Sequence, residues 1–155
     1  MIGISSGTPV RTVRATANQG VSNTTLTNST YLKEALLANE VVRFQASLIT
    51  GASAGDIKFA FTVPAGATII WGFAGGGRWD SGGTWVSSPV VATSSGAALD
   101  WVGQNAGVQE FMILIIGSVV NGANAGDLQL QFAELVNTAT ATVYANSTLT
   151  TERIT

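Results

Sequence analysis

One segment of the chain occurs twice, 71 residues apart. Residues 47–61 read SLITGASAGDIKFAF and residues 118–132 read SVVNGANAGDLQLQF, and seven of the fifteen positions are identical. Each copy has an apolar strand, a turn of small residues ending in Gly-Asp and an alternating strand, which is typical of a β-hairpin. A lone hairpin cannot bury its apolar face, so two equivalent copies predict a sheet-on-sheet body with internal pseudo-symmetry. Chance similarity between two Gly/Ala-rich stretches is the alternative.

The rest of the chain predicts a single all-β domain. Short strand patterns separated by turn signals favour a sandwich or barrel, and the duplicated hairpin favours a jelly-roll sandwich built from two Greek keys. The chain of 155 residues fits one domain, in which residues 1–30 supply an N-terminal strand and a polar arm. Residues 31–37, YLKEALL, are good helix formers with Ser29 or Thr30 as a possible N-cap, and they predict one short helix at most.

Composition excludes most enzyme chemistry. The chain has no cysteine and no histidine. It therefore lacks a redox motif, a thiolate metal site, the usual zinc ligands and the base of a Ser-His-Asp nucleophile. We expect no enzymatic activity, no cofactor and no bound metal.

Charged residues are scarce, which favours assembly. They make up 10% of the chain, against about a quarter in ordinary domains, and the net charge is −2. A polar, uncharged exterior suits permanent contact with other subunits, although it could also be merely a neutral surface. No basic cluster is present, so nucleic acid is not an expected partner.

No membrane association is expected either. The longest apolar run, within Phe111–Val120, is about half the length that a bilayer-spanning helix needs, and residues 1–7 lack the pattern of a signal peptide. These features predict a soluble protein of intracellular origin. Because this run is apolar at consecutive positions, it predicts a strand covered on both faces, by the core on one side and by another subunit on the other.

A tryptophan-rich segment supplies the candidate binding residues. It surrounds a glycine-rich loop at residues 72–83 and comprises Trp71, Arg78, Trp79, Trp85 and Trp101. These residues could form an aromatic platform for a sugar, anchor a protein interface, or fill the core. The sequence leaves all three possibilities open.

Carboxylates could in principle support a glycan-acting enzyme, because a glycosidase needs only two of them. Asp56 and Asp127 lie at matching positions of the two repeat copies, and Asp80, Asp100 and Glu110 are further candidates. No spacing brings any two of them together, and turn-capping roles are expected for Asp56 and Asp127.

Three stretches resemble small virion proteins of tailed bacteriophages. They are ANEVVRFQASL and AGDIKFAFTVPAGAT within residues 38–68, GDLQLQF at 126–132 and NSTLTTERI at 146–154, whereas residues 71–107 do not match well. The resemblance implies a virion structural protein that is assembled in the host cytoplasm. It would be a capsid decoration (cement) or head-fibre subunit, homotrimeric, with the major capsid protein or other virion proteins as partners. The alternative is a tail-associated adsorption module that binds host surface glycan through the Trp/Gly-rich loop.

Overall fold

The computed structural model of the protein describes residues 9–52, 56–74, 78–79, 85–86, 91–101, 110–136 and 139–154, with 78–79 and 85–86 described by backbone alone. All regular structure in these ranges is β-strand, which confirms the predicted all-β class. The strands are β1 (Val10–Arg14), β2 (Gln19–Val21), β3 (Thr27–Leu36), β4 (Val41–Ala52), β5 (Ile57–Thr62), β6 (Thr68–Phe73), β7 (Arg78–Trp79), β8 (Trp85–Val86), β9 (Val91–Ala92), β10 (Leu99–Trp101), β11 (Phe111–Val120), β12 (Gly126–Glu134), β13 (Ala141–Val143) and β14 (Thr148–Arg153). The described ranges contain no helix that could span a membrane.

The strands form two antiparallel sheets packed as a sandwich. The large sheet has the order β1-β14-β4-β11-β6-β9, with β13 on β4 and β2 on β13, and the small sheet has the order β10-β5-β12-β3. A separate two-stranded sheet joins β7 and β8. Eight of these strands, β3-β12-β5-β10 facing β4-β11-β6-β9, follow the jelly-roll order, as the sequence predicts. Strands β13, β14 and β1 extend the large sheet on the far side of β4.

The repeated segment forms the centre of both sheets. Strands β4 and β11, the first strands of the two copies, pair with each other, and β5 and β12, the second strands, do the same. Gln45 lies opposite Ile116 in the large sheet, and Ala60 lies opposite Gln131 in the small sheet. Both pairs are 71 residues apart, so a pseudo-twofold axis relating the copies passes through both sheets.

The prediction that each copy is a hydrogen-bonded hairpin is wrong. In each copy the first strand lies in the large sheet and the second strand lies in the small one. Because β4 pairs with β11 and β5 pairs with β12, the two strands of a copy bury their alternating apolar residues against each other across the sandwich. The core lies between the sheets, and its largest fully buried side chains are Trp71, Phe59, Phe61, Phe132, Leu32, Leu36, Leu48, Ile57, Ile113, Ile115, Leu128 and Leu130.

Residues 31–37, predicted as a helix, instead continue strand β3, which ends at Leu36. Leu32 and Leu36 are fully buried, and the strand pairs with β12 along its length. The pairing shifts register between Gln129 and Gln131, and near this irregularity the Ser29 hydroxyl accepts the Leu32 N–H at 3.1 Å. The same chemistry that makes serine a helix cap here serves an irregular strand. Burial in the sheet outweighs a weak helix propensity.

Strand β11 is covered on one face only within a single chain. Ile113, Ile115 and Val119 are buried in the core. On the opposite face, Met112 is 73% exposed and Ile116 is 49% exposed. The predicted cover by the core on one face is confirmed, and the cover by another subunit on the other face stays a prediction.

Gly117 allows the ring of Phe44 to pack beneath the large sheet. It lies between Phe44 and Trp71 in the register of β4, β11 and β6. A Cβ atom at this position would lie 2.6 Å from the Phe44 ring and 2.6 Å from the Ile70 carbonyl oxygen. A backbone carbonyl cannot move aside without disturbing the β6–β11 pairing.

We expect Gly117→Ala to lower the free energy of unfolding by about 1–3 kcal/mol, the usual cost of overpacking. Ser118→Ala is the control, because Ser118 is the next residue of the strand and faces outward, and it should change stability by less than about 0.5 kcal/mol. Denaturant unfolding of both variants measures the difference. Equal midpoints would contradict the packing role of Gly117.

Arg11 joins the two sheets at one edge. From β1 it donates to the Ala35 carbonyl at 2.7 Å and to Glu40 at 3.0 Å, and its Nε lies 3.3 Å from Glu34. Glu40 is 2% exposed, and its second oxygen accepts the Leu37 N–H at 2.8 Å. A buried carboxylate needs such partners, so Arg11 holds β1 against the end of β3.

We expect Arg11→Met to destabilise the fold by about 2–3 kcal/mol, somewhat less than for a fully buried pair because Arg11 is itself partly exposed. Arg43→Met is the matched control. Arg43 is 66% exposed and lies 3.8 Å from the half-exposed Glu152, a contact worth about 0–1 kcal/mol. Thermal unfolding distinguishes the two, and similar melting temperatures for both variants would contradict the role of Arg11.

Candidate functional site

Two of the predicted binding tryptophans pack with the core. Trp71 is 1% exposed, and its ring meets the ring of Phe61 edge-on with centroids 5.2 Å apart. Trp101 is partly buried and contacts Phe73 with centroids 5.0 Å apart. Their positions match the core-filling possibility that the sequence left open.

The other three candidates lie on the small two-stranded sheet. Strand β7 holds Arg78 and Trp79, strand β8 begins at Trp85, and Trp79 lies directly opposite Trp85. Their side chains, and Asp80, fall outside the described residues. A ligand or interface role for Arg78, Trp79 and Trp85 stays a prediction.

The carboxylates of the repeat lie far apart. Strands β5 and β12 are antiparallel, so Asp56, just before β5, and Asp127, the second residue of β12, lie at opposite ends of the small sheet, about 25 Å from each other along the strand direction. Asp127 instead lies 3.7 Å from Lys33 at an exposed position. A glycosidase pair must lie within about 5–9.5 Å, so these two carboxylates cannot form one. Among the described residues, no group of three His, Cys, Asp or Glu could hold a metal ion.

The feature of the described surface that does stand out is the outer face of the large sheet. A groove of about 740 Å³ crosses this face from Val10 on β1 to Val91 on β9. Gly72, at an outward position of β6, lies in its floor together with the backbone of Gly117 and the buried residues Phe44 and Trp71. The groove therefore lies where one outward side chain is missing.

One half of this outer face is apolar. We call the following residues of β6, β9 and β11 the apolar band: Ile70, Val91, Met112, Leu114, Ile116 and Val120. All six are exposed, and the outward residues between them on these strands are uncharged. Contiguous exposed apolar side chains are the kind of surface that interaction sites use. Sequence reasoning found the four β11 members through their consecutive apolar run but missed Ile70 and Val91.

The other half of the face is polar. Arg43 on β4 and Glu152 on β14 form a loose ion pair, and Thr12 and Thr150 share a hydrogen bond of 3.0 Å. Gln45 lines the groove between these residues and the apolar band. The large sheet thus presents a boundary between polar and apolar side chains that runs along β4 and β11.

The repeat provides an internal comparison for the apolar band. The positions equivalent to Leu114 and Ile116 in the other copy are Arg43 and Gln45, which also face outward. Both strands have the same place in the fold and the same apolar inner faces. Because β4 shows that a polar outer face is compatible with this position, the folding of the chain does not require the apolar outer face of β11.

The outer face of the small sheet is hydrophilic by contrast. Gln129 donates to the Ser29 carbonyl at 3.0 Å, and Gln131 donates to the Asn28 side chain at 2.7 Å. Lys33 and Asp127 are exposed beside them. The two outer faces of the sandwich therefore differ in chemistry, and the large sheet presents the surface that gains from being covered.

Comparison with known proteins gives only distant structural similarity. No family model matches the chain, and no curated protein sequence is similar to it. Among solved structures, the chain is similar to a chain in the structure of infectious bursal disease virus, Gt strain, with 14% sequence identity and a TM-score of 0.27. It is also similar to a chain in the structure of the VP2 subviral particle of that virus, with 12% sequence identity and a TM-score of 0.24. The matches cover 96% and 94% of this chain but only 38% and 40% of those chains. At these TM-scores the similarity carries no argument about function.

Proposed function

We propose that the chain is a virion structural protein without enzymatic activity, a capsid decoration (cement) or head-fibre subunit that self-associates on the particle. Its partners are further copies of itself and the major capsid protein or other virion proteins. The observation that carries self-association is the exposed apolar band on the large sheet. The virion setting rests on the resemblance of residues 38–68, 126–132 and 146–154 to phage virion proteins, because a fold alone does not define a function.

The energetics of the apolar band support self-association. Complete burial of an apolar side chain of this size gains about 1.5–3 kcal/mol, and the six residues of the band are roughly half exposed, so covering them gains about 5–9 kcal/mol in all. Association costs about 4–15 kcal/mol in lost freedom of motion. The band therefore supplies a large part of what a stable contact needs. A chain with 10% charged residues also has little surface charge to keep copies apart.

The proposed mechanism is burial of shared surface. A subunit that binds its own copies and the shell adds contacts that are repeated by the symmetry of the particle, and repetition multiplies a modest contact into a stable layer. A homotrimer assembled in the host cytoplasm is the form that the resemblance implies. The hydrophilic outer face of the small sheet would then point to solvent.

The first test replaces the centre of the apolar band. In the double variant Leu114→Ser/Ile116→Ser we expect a smaller oligomer or a monomer, because the contact through the apolar band is lost, with an unchanged β-sheet circular dichroism spectrum. Arg43→Ser/Gln45→Ser, at the equivalent positions of the other repeat copy, is the matched control and should leave the oligomer intact. Multi-angle light scattering gives the mass of each variant.

The virion role needs a separate measurement. Purified chain should bind shells assembled without it, and a cryo-electron microscopy map of the whole particle should contain its jelly roll. A wild-type chain that stays monomeric at high concentration and does not bind shells would contradict the proposal. The particle map also separates a capsid position from a tail position.

A tail-associated adsorption module is the second candidate. The observation that favours it is the register of β7 and β8, which places Trp79 opposite Trp85. Aromatic pairs on one face of a hairpin suit the flat apolar side of a sugar ring.

For this candidate we expect Trp79→Ala to abolish binding to host surface glycan while the oligomer stays intact. A glycan array compares the variant with the wild-type chain, and light scattering provides the control for assembly. Identical array profiles would rule out this use of the loop.

A further inference from the structure

The outer face of the large sheet is large enough to form a complete interface. Six strands lie side by side in it, in the spatial order β1-β14-β4-β11-β6-β9. Since half of the residues in a strand point to each face, these strands present roughly twenty outward side chains, close to the 20–30 residues that each partner contributes to a standard interface. The same face therefore offers enough area for one copy of the chain to bind another.

This face also carries both halves of a complementary contact. Met112 projects from β11 and is the most exposed large apolar side chain among the described residues, at 73%. Ile116 lines the groove four residues further along the same strand, about 13 Å away. Leu114 lies midway between them and faces the same side. A flexible, unbranched methionine is well suited to fill an irregular groove.

We propose that two copies of the chain meet face to face on their large sheets, about a two-fold axis that passes near Leu114. A half-turn about that axis brings Met112 of each copy over the groove beside Ile116 of the other, and it places the two Leu114 side chains in contact. The inference rests on the proposed self-association and names the surface and symmetry by which it occurs.

Electrostatics permit this contact between identical faces. The apolar band carries no charge, so two copies do not repel each other where the bands meet. The nearest charged residues on the groove, Arg43 and Glu152, already neutralise each other within one chain. A surface without a net charge can pair with itself, whereas a face dominated by one sign cannot.

The two-fold arrangement also accounts for the presence of both a projecting side chain, Met112, and a groove, beside Ile116, on the same exposed face. When both lie in one isologous interface, the contact closes on itself after two copies. If they lay on different faces, each copy would offer a free end, and rings or open filaments would form. This contact joins copies in pairs, so the homotrimer that the resemblance implies would use a second surface, and the two contacts together would give a hexamer.

The test uses the absence of cysteine from the chain. In Leu114→Cys the only two thiols of a dimer would lie opposite each other at the axis, on sheets packed about 10 Å apart, a separation that a short bismaleimide cross-linker can bridge. With this cross-linker we expect a covalent dimer to form at least tenfold faster than in Arg43→Cys, the equivalent position of the other repeat copy. Gln131→Cys, on the outer face of the small sheet, should link no faster than Arg43→Cys.

A second variant tests the contact without cross-linking. Met112→Asp should raise the dimer dissociation constant at least tenfold, because each groove would face a carboxylate, whereas Met112→Leu should change it less than about threefold. Sedimentation equilibrium measures the constants, and circular dichroism confirms that Met112→Asp is folded.

The outcomes separate this inference from the function on which it rests. An oligomer that forms normally but links no faster through Leu114→Cys than through the two controls, or that is unaffected by Met112→Asp, overturns the face-to-face contact and leaves self-association standing. A wild-type chain that is monomeric and fails to bind shells removes the proposed function itself. A trimer without even-numbered species also overturns the two-fold contact alone.

Discussion

The pairing of β4 with β11 is the interaction on which the rest of the structure depends. Ten residues of each strand lie in uninterrupted antiparallel register at the centre of the large sheet. Their inner side chains form one wall of the core, and every other strand of that sheet is added to one side of this pair or the other. The second strands of the two repeat copies, β5 and β12, build the opposite wall in the same way. A duplicated sequence thus gives two paired walls, and one pseudo-twofold axis through both walls relates the two strands of each pair.

Alternation of apolar and polar residues was enough to predict most strands and the sandwich class, because burial on one face of a sheet leaves a period of two in the sequence. Prediction from the local pattern failed where the structure of a segment depends on pairing with a strand that is distant in the sequence. Residues 31–37 form a strand since β12, about one hundred residues later, buries Leu32 and Leu36. Likewise, a turn between two apolar strands looks the same whether the strands pair with each other or lie in different sheets. Only the location of β11 and β12 decides that β4 and β5 separate.

The candidate surface was only half predictable for a similar reason. The consecutive apolar run of β11 signals that its outer face is unusual, and the structure shows that this face is uncovered in the single chain. Ile70 and Val91 join it through lateral pairing of β6 and β9, which no local pattern reveals. The tryptophans drew attention because large aromatic residues often bind ligands, yet Trp71 lies in the core beside Gly117, whose lack of a side chain makes room for the ring of Phe44. Arg43 and Leu114 lie at equivalent positions of the two repeat copies. The difference between them indicates a role for the apolar outer face of β11 because both side chains face outward, which the sequence alone does not show.

The pairing of β1 with β14 has a consequence for biosynthesis. Val10 lies opposite Glu152 in this pair, so the first strand acquires its neighbour only after the last one has been made. While the ribosome is still translating the intervening residues, β1 has no strand to pair with, and an unpaired strand of this kind can associate with another nascent chain.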